Sequence, residues 1–356
     1  MTKERKQKVK EPRGMRLQER DIAIGEWLVR RRFLDADQIC RLVENLEGGS
    51  HAHTKTRLTA LRENGYIIQP RGERSYWDET GRTYRIYGNT SKMGRLLQKR
   101  GKVEEGRLDW TQQNRQGKAH FVEHTVETSE LMVTFEQTAR KYPGVCVRET
   151  DELLGELPER TQAMDKPWYV AGAPAGFPAT ARKIIKPDAV FNVRHETKDG
   201  AQEQFFFAEI DTTNMPVVRG GKLEKALQTA LAELHGATGK AAKAAAQQRV
   251  EGARQKLLVF NARTDQSSFL HKMMTYFWAY KTGWHKEHFG WPSMRVLVTT
   301  RKASQRDRMI RTLPYITDGL APNLFLFSTF EEIRGCDDVM RHEWFNGAGE
   351  RVTLSK

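Results

Sequence analysis

The stretch from Ile184 to Thr213, IIKPDAVFNVRHETKDGAQEQFFFAEIDTT, decides the fold of this chain. Its two ends, IIKPDAVFNVR and EQFFFAEIDTT, are rich in β-branched and aromatic residues, which favour strands. The polar residues ETKDG between them predict a turn. The stretch therefore predicts two strands joined by a tight connection, the second of which ends in acidic residues.

Three carboxylates belong to this stretch. Glu209 and Asp211 are two positions apart on one strand, so their side chains project from the same face. Pairing of the two strands would bring Asp188 beside them. Carboxylates this close repel one another unless a cation is present, and hard oxygen ligands suit Mg²⁺ or Mn²⁺. The sequence predicts a metal site at Asp188, Glu209 and Asp211, where a bound ion would polarise a phosphodiester. The alternative is that these acids are turn and cap residues of a non-catalytic sheet.

Helices and strands alternate beyond this stretch. GGKLEKALQTALAELHG (220–236) predicts a helix, whereas LLVFNA (257–262), MRVLVTT (294–300) and LFLFSTF (324–330) predict buried strands. Short, largely apolar strands are expected where both faces of a sheet are covered. Together with a long helix that starts near Ala119, these segments predict an α/β domain with a mixed central sheet over residues 119–356.

The N-terminal part of the chain has a different pattern. Residues 21–100 predict three helices, two strands that flank a polar loop, and a last helix, which is the order of a winged helix-turn-helix. In such a module the third helix enters the major groove and the hairpin contacts the DNA backbone. The predicted DNA-binding residues are His53, Thr54, Lys55, Arg57 and Arg62 of the third helix and Arg71, Arg74, Tyr76 and Arg82 of the hairpin. A winged helix that only docks to proteins is the alternative.

Positive charge is concentrated in this N-terminal part. The whole chain of 356 residues has a net charge of +14, of which residues 1–118 contribute +11 and residues 119–356 contribute +3. A basic excess confined to one module is typical of nucleic-acid binding. Residues 1–20 are predicted to be a basic flexible arm and residues 101–118 a linker.

Other compositional features exclude several classes of protein. No apolar run approaches the roughly 18 residues of a membrane span, and the N-terminus has no apolar signal segment. The three cysteines are isolated, which argues against a disulfide framework and a cysteine-based zinc site. A bacterial cytoplasmic location is expected.

The acidic residues resemble the motif of PD-(D/E)xK nucleases, which form a restriction-endonuclease-like α/β fold. Pro187-Asp188 and Glu209 match that motif, but Asp211 stands where the motif has lysine. Some members supply the lysine from the following helix, and Lys222 is the residue we expect in this role. The resemblance implies that this lysine positions water and stabilises developing charge.

The order of these segments resembles the replication-relaxation family of plasmids and integrative elements. A winged helix, a helix with His124, then KPDAVF and FFFAEIDTT carry the likeness, which extends to the VLVTTR strand. It implies a double-stranded DNA-binding protein of a mobile genetic element, specific for a sequence or a DNA structure. Plasmid replication, relaxation or mobilisation would be its process, and a relaxase or a coupling ATPase would be a plausible partner.

Two other functions are consistent with the same residues. One is an active magnesium-dependent DNA endonuclease that uses Asp188 and Glu209. The other is a winged-helix transcriptional repressor whose second domain forms a homodimer. The sequence leaves open which of them applies.

Overall fold

The computed structural model describes residues 15–44, 46, 50–70, 76–77, 83–103, 110–172, 183–212, 215–263 and 267–355. The chain forms two compact units, Met1–Val133 and Thr134–Lys356. In the described residues, no helix has the length and apolar character needed to cross a membrane.

Helices contain most of the described residues of the first unit. They are α1 (Glu19–Arg31), α2 (Ala36–Val43), α3 (His51–Glu63), α4 (Ser91–Lys99), α5 (Thr111–Arg115) and the first part of α6 (Ala119–Lys141). Polar side chains cap several of their first turns. Asp35 begins α2 with a capping box, in which its carboxylate accepts a hydrogen bond from the Gln38 backbone N–H at 2.8 Å. Ser50 and Thr90 cap α3 and α4.

The first unit also contains short strands. They are β1 (Phe33–Asp35), β2 (Ile67–Ile68), β3 (Tyr76–Trp77), β4 (Thr83–Tyr84) and β5 (Ile86–Asn89). β5 lies between β1 and β2 and pairs antiparallel with both, while β3 and β4 form a separate antiparallel pair. Leu58 and Leu61 of α3 are fully buried in the core of this unit. The face of α3 that carries these two leucines is therefore its apolar face.

The second unit combines a large sheet with many helices. Its strands are β6 (Val145–Glu149), β7 (Val170–Gly172), β8 (Lys183–Ile185), β9 (Ala189–Thr197), β10 (Gly200–Asp211), β11 (Arg295–Thr300), β12 (Phe325–Thr329), β13 (Trp344–Asn346) and β14 (Arg351–Val352). Its helices are the end of α6, α7 (Thr150–Leu153), α8 (Glu159–Gln162), α9 (Gly221–Gly236), α10 (Lys240–Arg263), α11 (Phe269–Lys281), α12 (Trp284–Phe289), α13 (Ala303–Thr312), α14 (Pro314–Thr317) and α15 (Phe330–Arg334).

Seven of these strands form one mixed sheet in the order β14-β13-β12-β11-β10-β9-β6. β9 and β10 pair antiparallel from Ala189 opposite Ala208 to Thr197 opposite Gly200, as the sequence predicts. β10, β11 and β12 run parallel to one another. The fold is thus mixed α/β, and the ends of β10 and β11 meet at one edge of the sheet.

Two sequence-based assignments are wrong. The segment IIKPDAVFNVR was expected to form one strand, but it divides between β8 and β9, which belong to different sheets. Residues 257–262 were expected to form a buried strand, but they are the last turns of helix α10. Leu257 and Ala262 are fully buried whereas Phe260 is 45% exposed, which is a helical rather than a continuous burial pattern. A short apolar run does not by itself distinguish a strand from the buried part of a helix.

Candidate functional site

Two of the predicted site residues, Glu209 and Asp211, lie on one face of strand β10. Side chains alternate along the strand, so Phe205 and Phe207 share a face with Glu209 and Asp211. Helix α11 covers this face, because the ring of Phe207 lies 5.5 Å from that of Tyr276. The sequence folds locally in this way since an apolar run anchors the strand and places its two acids at the end.

Asp188 lies beside this strand, directly before β9. Its backbone N–H donates a hydrogen bond to the carbonyl oxygen of Ala208 at 3.0 Å. Its Oδ2 accepts one from the backbone N–H of Ile210 at 2.8 Å. The two bonds join Asp188 to Ala208 and Ile210, the residues on either side of Glu209, as strand pairing predicts.

Glu209 is the most enclosed of the three acids. Its side chain is buried, with Tyr276 donating a hydrogen bond to Oε1 at 2.6 Å. Lys272 forms an ion pair with Oε2. Both partners come from α11, where a spacing of four residues places them on one helical face. A buried carboxylate is tolerated only when it is paired and hydrogen-bonded, and Glu209 meets both conditions.

Burial and the positive charge of Lys272 shift the pKa of Glu209 in opposite directions. Burial raises the pKa of Glu209 to about 7 against the opposing effect of the Lys272 ammonium, and the nearby Asp188 carboxylate adds to the rise. Burial by itself would lower the pKa of Lys272, but Glu209 and Asp188 raise it above its ordinary value. Burial, together with Glu209, raises the pKa of Tyr276 well above 10, so its phenol remains a donor.

Asp211 is buried at the end of β10, opposite Thr300 of β11. The Thr300 hydroxyl donates to its Oδ2 at 3.2 Å, and the Gln305 amide lies 3.5 Å from the same oxygen. Asp211 therefore faces β11 and the start of α13. Asp188 thus lies beside the end of β10 that carries Glu209 and Asp211, as pairing of the two strands predicts.

The lysine at this site is one that sequence reasoning missed. Lys222, the residue expected there, is exposed in the first turn of α9. Lys272 instead contacts Glu209 from a helix much farther along the chain. A signal was present in the sequence, because Lys272 interrupts the apolar segment SSFLHKMMTYFWAY. That signal does not say which carboxylate the lysine meets.

The geometry also bears on the predicted Mg²⁺ or Mn²⁺ at Asp188, Glu209 and Asp211. Among the residues that the structure describes, no three His, Cys, Asp or Glu side chains are grouped to hold a metal ion. Both Glu209 oxygens already accept hydrogen bonds, one of them from an ammonium group. An ion at Glu209 would share these oxygens with the Lys272 and Tyr276 donors. The side chains as they stand do not fit a resident divalent ion.

Helix α3 carries the other predicted site. His53 and Lys55 are exposed, and Arg62 is half-buried and donates a hydrogen bond to Gln69 at 3.2 Å. Thr54 is fully buried. The tertiary structure thus places some of the predicted DNA-binding residues at the surface and others inside.

Arg57 has an internal partner. Its Nε donates to Oδ1 of Asp21 at 3.0 Å, and its Nη2 pairs with the other oxygen of the same carboxylate. Asp21 is completely buried. Arg57 is therefore engaged in holding α3 against α1, a role that its place in the sequence does not reveal.

The hairpin residues are described only in part. Tyr76 lies in β3, where its backbone pairs with Tyr84. The predicted contacts Arg71, Arg74 and Arg82, and the side chain of Tyr76, lie outside the described residues.

Comparisons with known proteins identify the family. The model of the family described as replication-relaxation matches residues 26–225, which is more than half of the chain. Comparisons with curated proteins and with solved structures give no match.

Proposed function

The chain belongs to the replication-relaxation family, and we propose that it is a double-stranded DNA-binding protein of a mobile genetic element. Family membership suggests a role in the replication or relaxation of a plasmid or other mobile element. The finer proposal is that α3 binds the duplex within a winged helix-turn-helix. The second unit, a nuclease-like α/β domain, would assist by clamping DNA or docking a partner.

The observation that supports this proposal is that α3 has one buried apolar face and one exposed polar face. One face is buried through Leu58 and Leu61, while His53, Lys55 and Thr56 are exposed on the other. The helix has 13 residues, about 20 Å at 1.5 Å per residue, and an α-helix fits the major groove. The order α1, β1, α2, α3, β2, hairpin and β5 supports a winged helix, because α3 then occupies the recognition position.

Binding of randomised duplex DNA to the full chain tests the proposal. Fluorescence anisotropy of the wild type should give a dissociation constant that rises steeply with salt. His53→Ala combined with Lys55→Ala should weaken binding, whereas Lys99→Ala at the exposed end of α4 serves as the control with one cation removed. Failure of the wild type to bind duplex DNA at low salt would overturn the proposal.

A second candidate function is a DNA endonuclease. The observation in its favour is that Asp188 and Glu209 lie at one sheet edge with Lys272 against them. Lys272 would then take the role that the nuclease resemblance gives to a lysine.

Incubation of supercoiled plasmid with Mg²⁺ or Mn²⁺ tests this candidate. Nicking by the wild type that is lost in Asp188→Ala, Glu209→Ala and Lys272→Ala, but kept in Lys222→Ala, would support it. Nicking that persists in the first three variants, or no nicking with either ion, would reject it.

A further inference from the structure

A cleft of about 680 Å³ lies in the first unit beside the end of α3. We call it the cationic cleft, after four of the residues that line it: Arg62, Lys92, Arg95 and Arg115. Ser91 and Thr111 also line it, with their hydroxyl oxygens 2.8 Å apart. Among the described residues that line this cleft, none is acidic.

The four cations lack carboxylate partners in the described part of the chain. Arg62 donates to the Gln69 amide oxygen, and Lys92 donates to the Asn64 carbonyl oxygen at 2.8 Å. Nearby basic residues differ, because Arg100 pairs with Glu19 and Lys102 with Glu26. Like charges collected in one concave surface repel one another, and an anionic ligand would relieve that repulsion.

The shape and chemistry of the cleft suit a phosphodiester backbone. Exposed Arg95 and Arg115 supply guanidinium groups, which bind phosphate oxygens through paired hydrogen bonds. Ser91 and Thr111 add hydroxyl groups of the kind that commonly contact DNA phosphates. A backbone with repeated negative charges would meet all four cations together, which a single small anion would not.

The position of the cleft relative to α3 indicates which phosphates it would meet. Arg62, at the C-terminal end of α3, lines the cleft, whereas Lys55 lies two turns earlier. Seven residues correspond to about 10 Å along the helix axis. The cleft would thus contact phosphates other than those nearest the start of the helix.

We propose that the cationic cleft binds the phosphodiester backbone of the DNA duplex that α3 contacts. This inference rests on the proposed DNA-binding function and names a second part of its interface. It assigns Lys92, Arg95 and Arg115 to that interface although they lie outside α3 and the β3–β4 hairpin.

The test compares two double variants of the full chain. Arg95→Gln with Arg115→Gln removes two exposed cations of the cleft and leaves the hydrogen bonds of Arg62 and Lys92 in place. Lys99→Gln with Lys118→Gln is the matched control, since both lysines are exposed in the same unit and neither lines the cleft. Circular dichroism melts should show that both variants fold like the wild type.

The measurement is the dissociation constant for duplex DNA as a function of salt concentration. Loss of two phosphate contacts should reduce the slope of log K against log salt by about 2 and weaken binding roughly tenfold to a hundredfold near 0.1 M salt. The control pair should retain nearly the wild-type slope. A wild-type slope in the cleft variant, or an equal loss in both variants, would overturn the cleft assignment alone. Absence of duplex binding by the wild type would overturn the proposed function as well.

Discussion

Lys272 of α11 forms an ion pair with Glu209 of β10, although the two residues are 63 positions apart in the chain. The Glu209 side chain is buried, with only 4% of its residue surface exposed. The pair joins a covering helix to the acidic end of a central strand. Tyr276, one turn further along α11, donates to the other oxygen of the same carboxylate. The site is thus a buried carboxylate with two dedicated donors from one helix.

Replacement of Lys272 by methionine should strongly destabilise the second unit. The change leaves the buried Glu209 carboxylate without its cation, which typically costs about 3–5 kcal/mol of unfolding free energy. Urea denaturation followed by tryptophan fluorescence measures the loss. Lys222→Met, at an exposed position, should stay within about 0.5 kcal/mol of the wild type. The double variant Glu209→Gln with Lys272→Met should recover part of the lost unfolding free energy, because the buried charge is then removed as well. If Lys272→Met alone lowered the unfolding free energy by less than about 1 kcal/mol, the two residues would not be a tightly coupled pair.

Replacement of Tyr276 by phenylalanine should have a smaller effect. The ring remains, but Oε1 of Glu209 loses its donor in a buried environment, which costs about 1–3 kcal/mol. Urea denaturation measures this loss: the midpoint should fall while the dependence of unfolding free energy on urea concentration stays the same. Tyr280→Phe on the same helix is the control because Tyr280 is 38% exposed. Equal effects of the two changes would argue against a specific bond from Tyr276.

The stability of the second unit should depend on pH through Glu209. Its pKa is raised by burial from 4.5 to about 7, so between these values the folded protein retains a proton that the unfolded chain releases. This contribution is present at low pH and is lost as pH rises through that interval. Unfolding free energies measured from pH 4.5 to 7 should therefore fall with pH more steeply in the wild type than in Glu209→Gln.

Glu332 provides a control with the opposite sign. Burial alone would raise its pKa, but hydrogen bonds from Thr329, Ser328 and Arg306 lower it below the ordinary value. Its contribution is present above about pH 4.5 and is lost as pH falls further, so Glu332→Gln should alter the profile only in the acidic range. If the unfolding free energy of Glu209→Gln fell with pH between 4.5 and 7 as steeply as that of the wild type, the raised pKa of Glu209 would be contradicted.

Arg57→Ala should destabilise the first unit instead of acting only on DNA binding. Asp21 is fully buried, and removal of the guanidinium leaves its carboxylate unpaired at a cost of about 3–5 kcal/mol. Lys55→Ala, an exposed change on the same helix, should alter stability by no more than about 0.5 kcal/mol. Thermal melts of the two variants distinguish these effects, and similar melting temperatures would refute a structural role for Arg57.

Much of the fold follows from local patterns. The third helix, α3, and the long helix that begins at Ala119, α6, were both predicted, because their apolar residues recur at helical spacing. The pairing of β9 with β10 follows from two β-rich segments and a short turn. Residues 257–262 were misassigned because a short apolar run is compatible with either structure. The two C-terminal strands β13 and β14 were missed, since each has only two or three residues.

Part of the candidate site was likewise predictable from local sequence rules, and part was not. The sequence alone placed Glu209 and Asp211 on one strand face and Asp188 on the neighbouring strand, because side-chain alternation and strand pairing are local rules. Only the tertiary structure decided which lysine meets Glu209, since α11 reaches β10 through packing of distant segments. It likewise joined Arg57 to Asp21 and gathered Arg62, Lys92, Arg95 and Arg115 around one cleft. Charge pairing and charge clustering depend on distances in space, and these are set by how the helices pack onto the sheets.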